Sequence, residues 1–82
     1  MNNSEILEKM NVIFCLVFER DDIQISDVTT SKDIENWDSL MHLTLINELE
    51  TAFKIKFTMA EILNARNVGE LREIIATHLN NK

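Results

Sequence analysis

Asp38-Ser39-Leu40-Met41-His42-Leu43-Thr44-Leu45-Ile46-Asn47-Glu48-Leu49-Glu50-Thr51-Ala52-Phe53 is the stretch whose periodicity decides the fold. At 100° per residue, Leu45, Ile46, Leu49, Ala52 and Phe53 gather on one arc, the core face of an amphipathic helix over residues 39–53. Leu40, Leu43, Thr44, Asn47, Glu50 and Thr51 fall on the opposite side, so two leucines stand among polar and acidic groups. Asp38 is a good N-cap, because its carboxylate can accept from N–H groups that a first turn leaves unpaired. Ser39 then stands in that first turn. A phosphate on its hydroxyl would sit at the positive end of the helix dipole, beside free amide donors.

Toward the C-terminus, Thr58-Met59-Ala60-Glu61 has the T-x-x-E form of a capping box and predicts a short third helix through Leu63. Asn67-Val68-Gly69-Glu70 repeats the capping pattern and opens a last helix to about Leu79, with Val68, Leu71, Ile74, Ile75 and Leu79 as its core face. Toward the N-terminus, residues 4–19 predict a first helix with Asn3 and Ser4 as capping candidates. Ile6, Leu7, Met10, Ile13, Phe14, Val17 and Phe18 form its apolar arc, and Val12, Cys15 and Leu16 fall outside it. Residues 12–18 are β-branched and aromatic enough for a buried strand, but no second strand pattern lies nearby to pair with them. Between the first two helices runs a long connection, residues 20–37, with Ile23, Ile25 and Val28 as anchors to the core. The alternation Ile23-Gln24-Ile25 is strand-like but has no ladder partner.

With no proline and one glycine, the chain favours helices joined by polar loops over a sheet with many tight turns. The expected fold is an all-α four-helix bundle, three longer helices and one short, with a long first loop and residues 1–82 forming a single domain. At 82 residues it is too small for a deep catalytic cleft. A formal net charge of −6 is opposite in sign to that of a nucleic-acid binder and unsuited to anionic membranes. One cysteine precludes an internal disulfide, the N-terminus lacks a signal-peptide pattern, and the apolar run 12–18 is too short to span a bilayer. A cytoplasmic, monomeric protein with no nucleic-acid partner and no membrane insertion is therefore expected.

Taken together, Asp38-Ser39-Leu40, the pattern L-x-x-L-x-L-I-x-x-L-E-x-x-F over residues 40–53, Ile55-x-Phe57 and the capped short helix resemble the acyl carrier protein family over nearly the whole chain. The resemblance implies a discrete carrier, itself not an enzyme. A phosphopantetheinyl transferase attaches 4'-phosphopantetheine to Ser39, and the arm holds acyl or aminoacyl thioesters for loading, modifying and transferring enzymes. It further implies that Asp38 belongs to the attachment motif, that Leu40, Leu43 and Glu50 meet partner proteins, and that Phe57 and Ile62 border the arm or its cargo. Two departures stand out. Asn36-Trp37 replaces the Gly-plus-small pair common before the aspartate of fatty-acid carriers; asparagine tolerates a left-handed backbone next best, and Trp37 either covers the core or touches a partner. Met41 and Thr44 stand where those carriers are often acidic. The expected setting is thus a specialised polyketide, nonribosomal peptide or surface-polysaccharide pathway.

Alternatives are weaker. A small acidic interaction module without cofactor would share the fold. Ser39 and His42 are neighbours on a helix, but a working triad also needs an orienting acid and an oxyanion hole. The two histidines and Cys15 have no metal-ligand spacing, so no metal is expected, and one glycine cannot build a phosphate-binding loop.

Overall fold

A computed structural model describes residues 1–81. Among these, four helices and no strand occur: α1 (Asn3–Val17), α2 (Ser39–Phe53), α3 (Met59–Asn64) and α4 (Val68–Asn80). The bounds of α2 follow from its ends. The Asp38 side chain accepts the Met41 N–H at 2.9 Å, and Lys54 closes the helix in the left-handed region at φ 57°. The expected cap of α1 shifts upstream. Asn2, not Asn3 or Ser4, accepts the Glu5 N–H, and the Glu5 carboxylate returns the contact to the Asn2 N–H. The same reciprocal box forms between Thr58 and Glu61 at the start of α3.

The core lies where α1 packs on α2 and α4. Ile6, Met10 and Phe14 of α1, Leu45 and Leu49 of α2, and Val68, Leu71 and Ile75 of α4 are all essentially excluded from solvent. The ambiguous residues 12–18 resolve by the same geometry: Ile13, Phe14 and Phe18 are buried, while Val12 and Leu16 are exposed. Short α3 buries no residue fully and closes one side of the bundle.

The long connection, residues 18–38, is pinned at three places. Ile23 and Ile25 point into the core, and the strand-like backbone around them finds its partner in a side chain. Asn11 donates its amide N–H to the Ile23 carbonyl at 3.0 Å and accepts the Ile25 N–H at 2.7 Å, so one amide from α1 does what a neighbouring strand would do. Val28 is no anchor: it is 78% exposed, and the loop meets α4 here through the residues on either side of it. The carbonyls of Thr29 and Asp27 accept the N–H groups of Val68 and Gly69 at 2.9 Å each, satisfying the open first turn of α4. Ile34, buried at 6% exposure, is the third pin.

Gly69 is needed at that contact for its lack of a side chain. A Cβ there would lie 2.8 Å from the Asp27 carbonyl oxygen. The loop is also clamped by Arg72, whose guanidinium binds both Asp27 carboxylate oxygens, at 2.8 and 3.1 Å, and holds that carboxyl below its usual range.

Two outcomes follow from the clamp. Gly69→Ala is expected to lower stability by about 1–3 kcal/mol through forced overpacking against backbone, read from urea denaturation at neutral pH. Because the folded-state value of Asp27 is depressed, its contribution is present above the unfolded carboxylate range and is lost as pH falls through the lowered value. Asp27→Asn should accordingly flatten the acid limb of a stability-versus-pH curve while lowering the neutral plateau.

Candidate functional site

The approach to α2 is built around two backbone features with evident causes. Asn36 adopts φ 72°, the left-handed turn its short polar side chain tolerates, and the Asp38 N–H donates to the Asn36 carbonyl at 3.0 Å. This reverses the chain so that Asp38 can cap α2 and Ser39 becomes its first residue. The first intrahelical bond runs from the His42 N–H to the Asp38 carbonyl at 2.8 Å. With Met41 N–H taken by the Asp38 carboxylate, the N–H groups of Ser39 and Leu40 are left without an intrahelical acceptor. Ser39 is exposed, and Leu40 beside it is 73% exposed.

Trp37 turns inward and covers the core. Its ring meets Phe14 edge-on at a centroid distance of 5.3 Å and packs against Phe18 at 6.1 Å. The His42 ring lies near-parallel to it at 5.9 Å, and its indole N–H donates to His42 Nδ1 at 3.1 Å. His42 Nε2 lies 3.1 Å from the Ile62 carbonyl oxygen. An indole nitrogen only donates and a carbonyl only accepts, so the two contacts together require the neutral imidazole protonated on Nε2. One relay thus ties the residue before the Asp-Ser pair, the first turns of α2 and the body of α3. With both ring nitrogens engaged, His42 is not turned to the Ser39 hydroxyl.

A cavity of about 450 Å³ opens beside Ser39. It is lined by Ser39, His42 and Leu43 of α2, by Ile62 and Leu63 of α3, and by Arg66, Asn67 and Leu71. Leu43 and Leu63, 54% and 74% exposed, extend its lining onto the surface. α3 is also joined to α4 by Glu61 and His78 at 2.9 Å; the Thr58 backbone N–H and this histidine hold the Glu61 carboxyl below its usual range.

The structure gathers Trp37, Asp38, Ser39, Leu43 and Ile62 around this cavity, while Glu50 and Phe57 are not among its lining residues. Glu50 is half-buried, and its carboxylate accepts the Phe57 N–H at 2.8 Å, bracing the turn between α2 and α3. Phe57 is a core residue at 8% exposure, with His78 edge-on at 6.0 Å. Arg66 joins the cavity without a local signal, since nothing in the pattern Asn64-Ala65-Arg66-Asn67 marks a residue that folds back beside Ser39.

Residues 10–75 match the family described as "Phosphopantetheine attachment site". The solution structure of holo acyl carrier protein from Geobacter metallireducens is similar over 93% of this chain and 87% of that one, with 38% identity and a TM-score of 0.88. No curated protein matches. The chain belongs to the phosphopantetheine-attachment family of acyl carrier proteins. Its prosthetic group is 4'-phosphopantetheine, bound covalently, and domains of this kind are generally non-catalytic and work with a phosphopantetheinyl transferase and acyl-handling enzymes. The site fits such a group, with a free hydroxyl in a capped first turn, unpaired amides for a phosphate, and a cavity with apolar walls alongside. Among the described residues, no helix is long and apolar enough to cross a membrane, and no cluster of His, Cys, Asp and Glu is arranged to hold a metal.

Trp37→Phe keeps the ring contacts with Phe14 and Phe18 but removes the donor to His42. Loss of that bond, worth about 1 kcal/mol, should raise amide exchange in α3 several-fold while α1 and α4 keep their protection; the readout is hydrogen exchange by NMR.

Proposed function

We propose that Ser39 carries the 4'-phosphopantetheine arm and that this single domain, residues 1–82, acts as a discrete carrier, not as an enzyme. The observation that carries the reading is the exposed Ser39 in the Asp38-capped first turn of α2, at the edge of the 450 Å³ cavity. When bound, the arm supplies a terminal thiol that holds acyl or aminoacyl groups as thioesters. The chain's own part is positional. Asp38 fixes where α2 begins and hence where the hydroxyl points. Leu43, Ile62 and Leu71 give the cavity apolar walls against which an arm or a short cargo can rest.

Leu40 and Leu43, exposed next to Ser39, and Leu63 across the cavity form the docking face for the transferase and for enzymes that load, modify and remove the cargo. Met41 and Thr44 leave this face short of acids, so docking depends on apolar fit more than on long-range charge. That character, with Trp37 before the Asp-Ser pair, supports a specialised polyketide, nonribosomal peptide or surface-polysaccharide pathway in the cytoplasm, the carrier acting as a monomer. The engagement of both His42 ring nitrogens supports a carrier over a Ser-His hydrolase.

Incubation with coenzyme A and a broad-specificity phosphopantetheinyl transferase should add the mass of one phosphopantetheine to the wild-type chain and none to Ser39→Ala. Intact-protein mass spectrometry reads the result. A wild type left unmodified by several transferases would instead favour an acidic interaction module without cofactor.

A further inference from the structure

In a chain of net charge −6, a cation forms part of the wall of the cavity beside Ser39, and carriage of a thioester does not by itself call for one. Arg20 and Arg72 each make a two-point contact with a carboxylate, Asp22 and Asp27 respectively. Arg66 does not. Among the described residues its guanidinium has no acidic partner, and only its backbone N–H is engaged, by the Glu70 carboxylate at 3.2 Å. That contact and the Asn67 cap, which accepts the Glu70 N–H at 2.9 Å, fix the turn from which the Arg66 side chain departs. The turn itself is held against the first loop by the hydrogen bonds from Val68 and Gly69 to Thr29 and Asp27.

We propose that Arg66 is the counter-ion of the phosphodiester that joins the arm to Ser39, an inference that rests on Ser39 being the attachment residue. The phosphodiester places one negative charge at the N-terminus of α2. The unpaired N–H groups of Ser39 and Leu40 lie at that helix start, and Arg66, an exposed residue between α3 and α4, lines the same cavity. A guanidinium offers two parallel N–H donors to two phosphate oxygens, which orients the first atoms of the arm as well as neutralising them. Arg66 is thereby a positioning residue: it turns the arm along the cavity between α2 and α3, where Leu43 and Ile62 can receive it, and away from open solvent.

The test uses the full chain converted to its holo form, with conversion verified by mass. In wild type, the Arg66 Nε–H resonance should move between apo and holo protein. The phosphorus resonance of the arm should shift in Arg66→Gln, return partway in Arg66→Lys, and stay in place in the charge control Lys56→Gln, on an exposed side chain outside this cavity. A backbone amide spectrum superposable on wild type establishes that each variant is folded. Complete modification with an Arg66→Gln phosphorus signal identical to wild type, or an equal shift in Lys56→Gln, would overturn the Arg66 contact while leaving the carrier reading intact. Failure to modify the wild type would overturn the attachment reading beneath it.

Discussion

Two backbone carbonyls, those of Asp27 and Thr29, close the open first turn of α4, and much of the site depends on that contact. A helix start inside a small bundle leaves N–H donors that must be matched. Here the long first loop supplies the acceptors, so the loop and α4 are ordered together. The close approach requires Gly69, and the Arg72–Asp27 pair keeps the loop from lifting. Once the loop is fixed at residues 27–29, its path through Ile34 to the Asn36 turn follows, and with it the position of Asp38 and Ser39.

The opposite end of the same loop is tied down by Asn11, and the pair of ties explains how a connection longer than any helix of the bundle stays ordered. An unpaired extended segment would leave backbone groups near the core unsatisfied. One side-chain amide, donor on one edge and acceptor on the other, removes that cost at Ile23 and Ile25. Conversely, α3 has no buried residue of its own and is held by individual polar contacts, from His42 and from His78. The bundle is therefore firm where α1 meets α2 and α4, and more lightly bound on the side that faces the cavity.

Features decided locally are legible in the sequence. The extent of α2, the Asp38 cap, the Thr58–Glu61 box and the left-handed tolerance of Asn36 depend on neighbours a few residues away, and the structure has them all. Val28 departs from the sequence pattern because its setting is made by distant partners, in a loop that turns its carbonyls toward α4, and the acceptor role of Glu50 is likewise set outside its own helix, by a turn whose Phe57 N–H needs a partner. Phe57 sits in the core for the same reason, since the turn that Glu50 braces points its ring inward. Arg66 lies 27 positions beyond Ser39, and only the fold brings the two to the lining of one cavity.

Trp37 carries a consequence of another kind. It is the chain's sole tryptophan, it is half-buried, and it lies two positions before Ser39 with its indole stacked on and bonded to an imidazole. The protein thus contains one indole fluorophore, and it stands beside the proposed attachment residue in contact with both the core and α3 through His42. Its emission reports on the immediate surroundings of Ser39 without a label, so loading, unloading and encounter with a partner can be followed optically in the native chain.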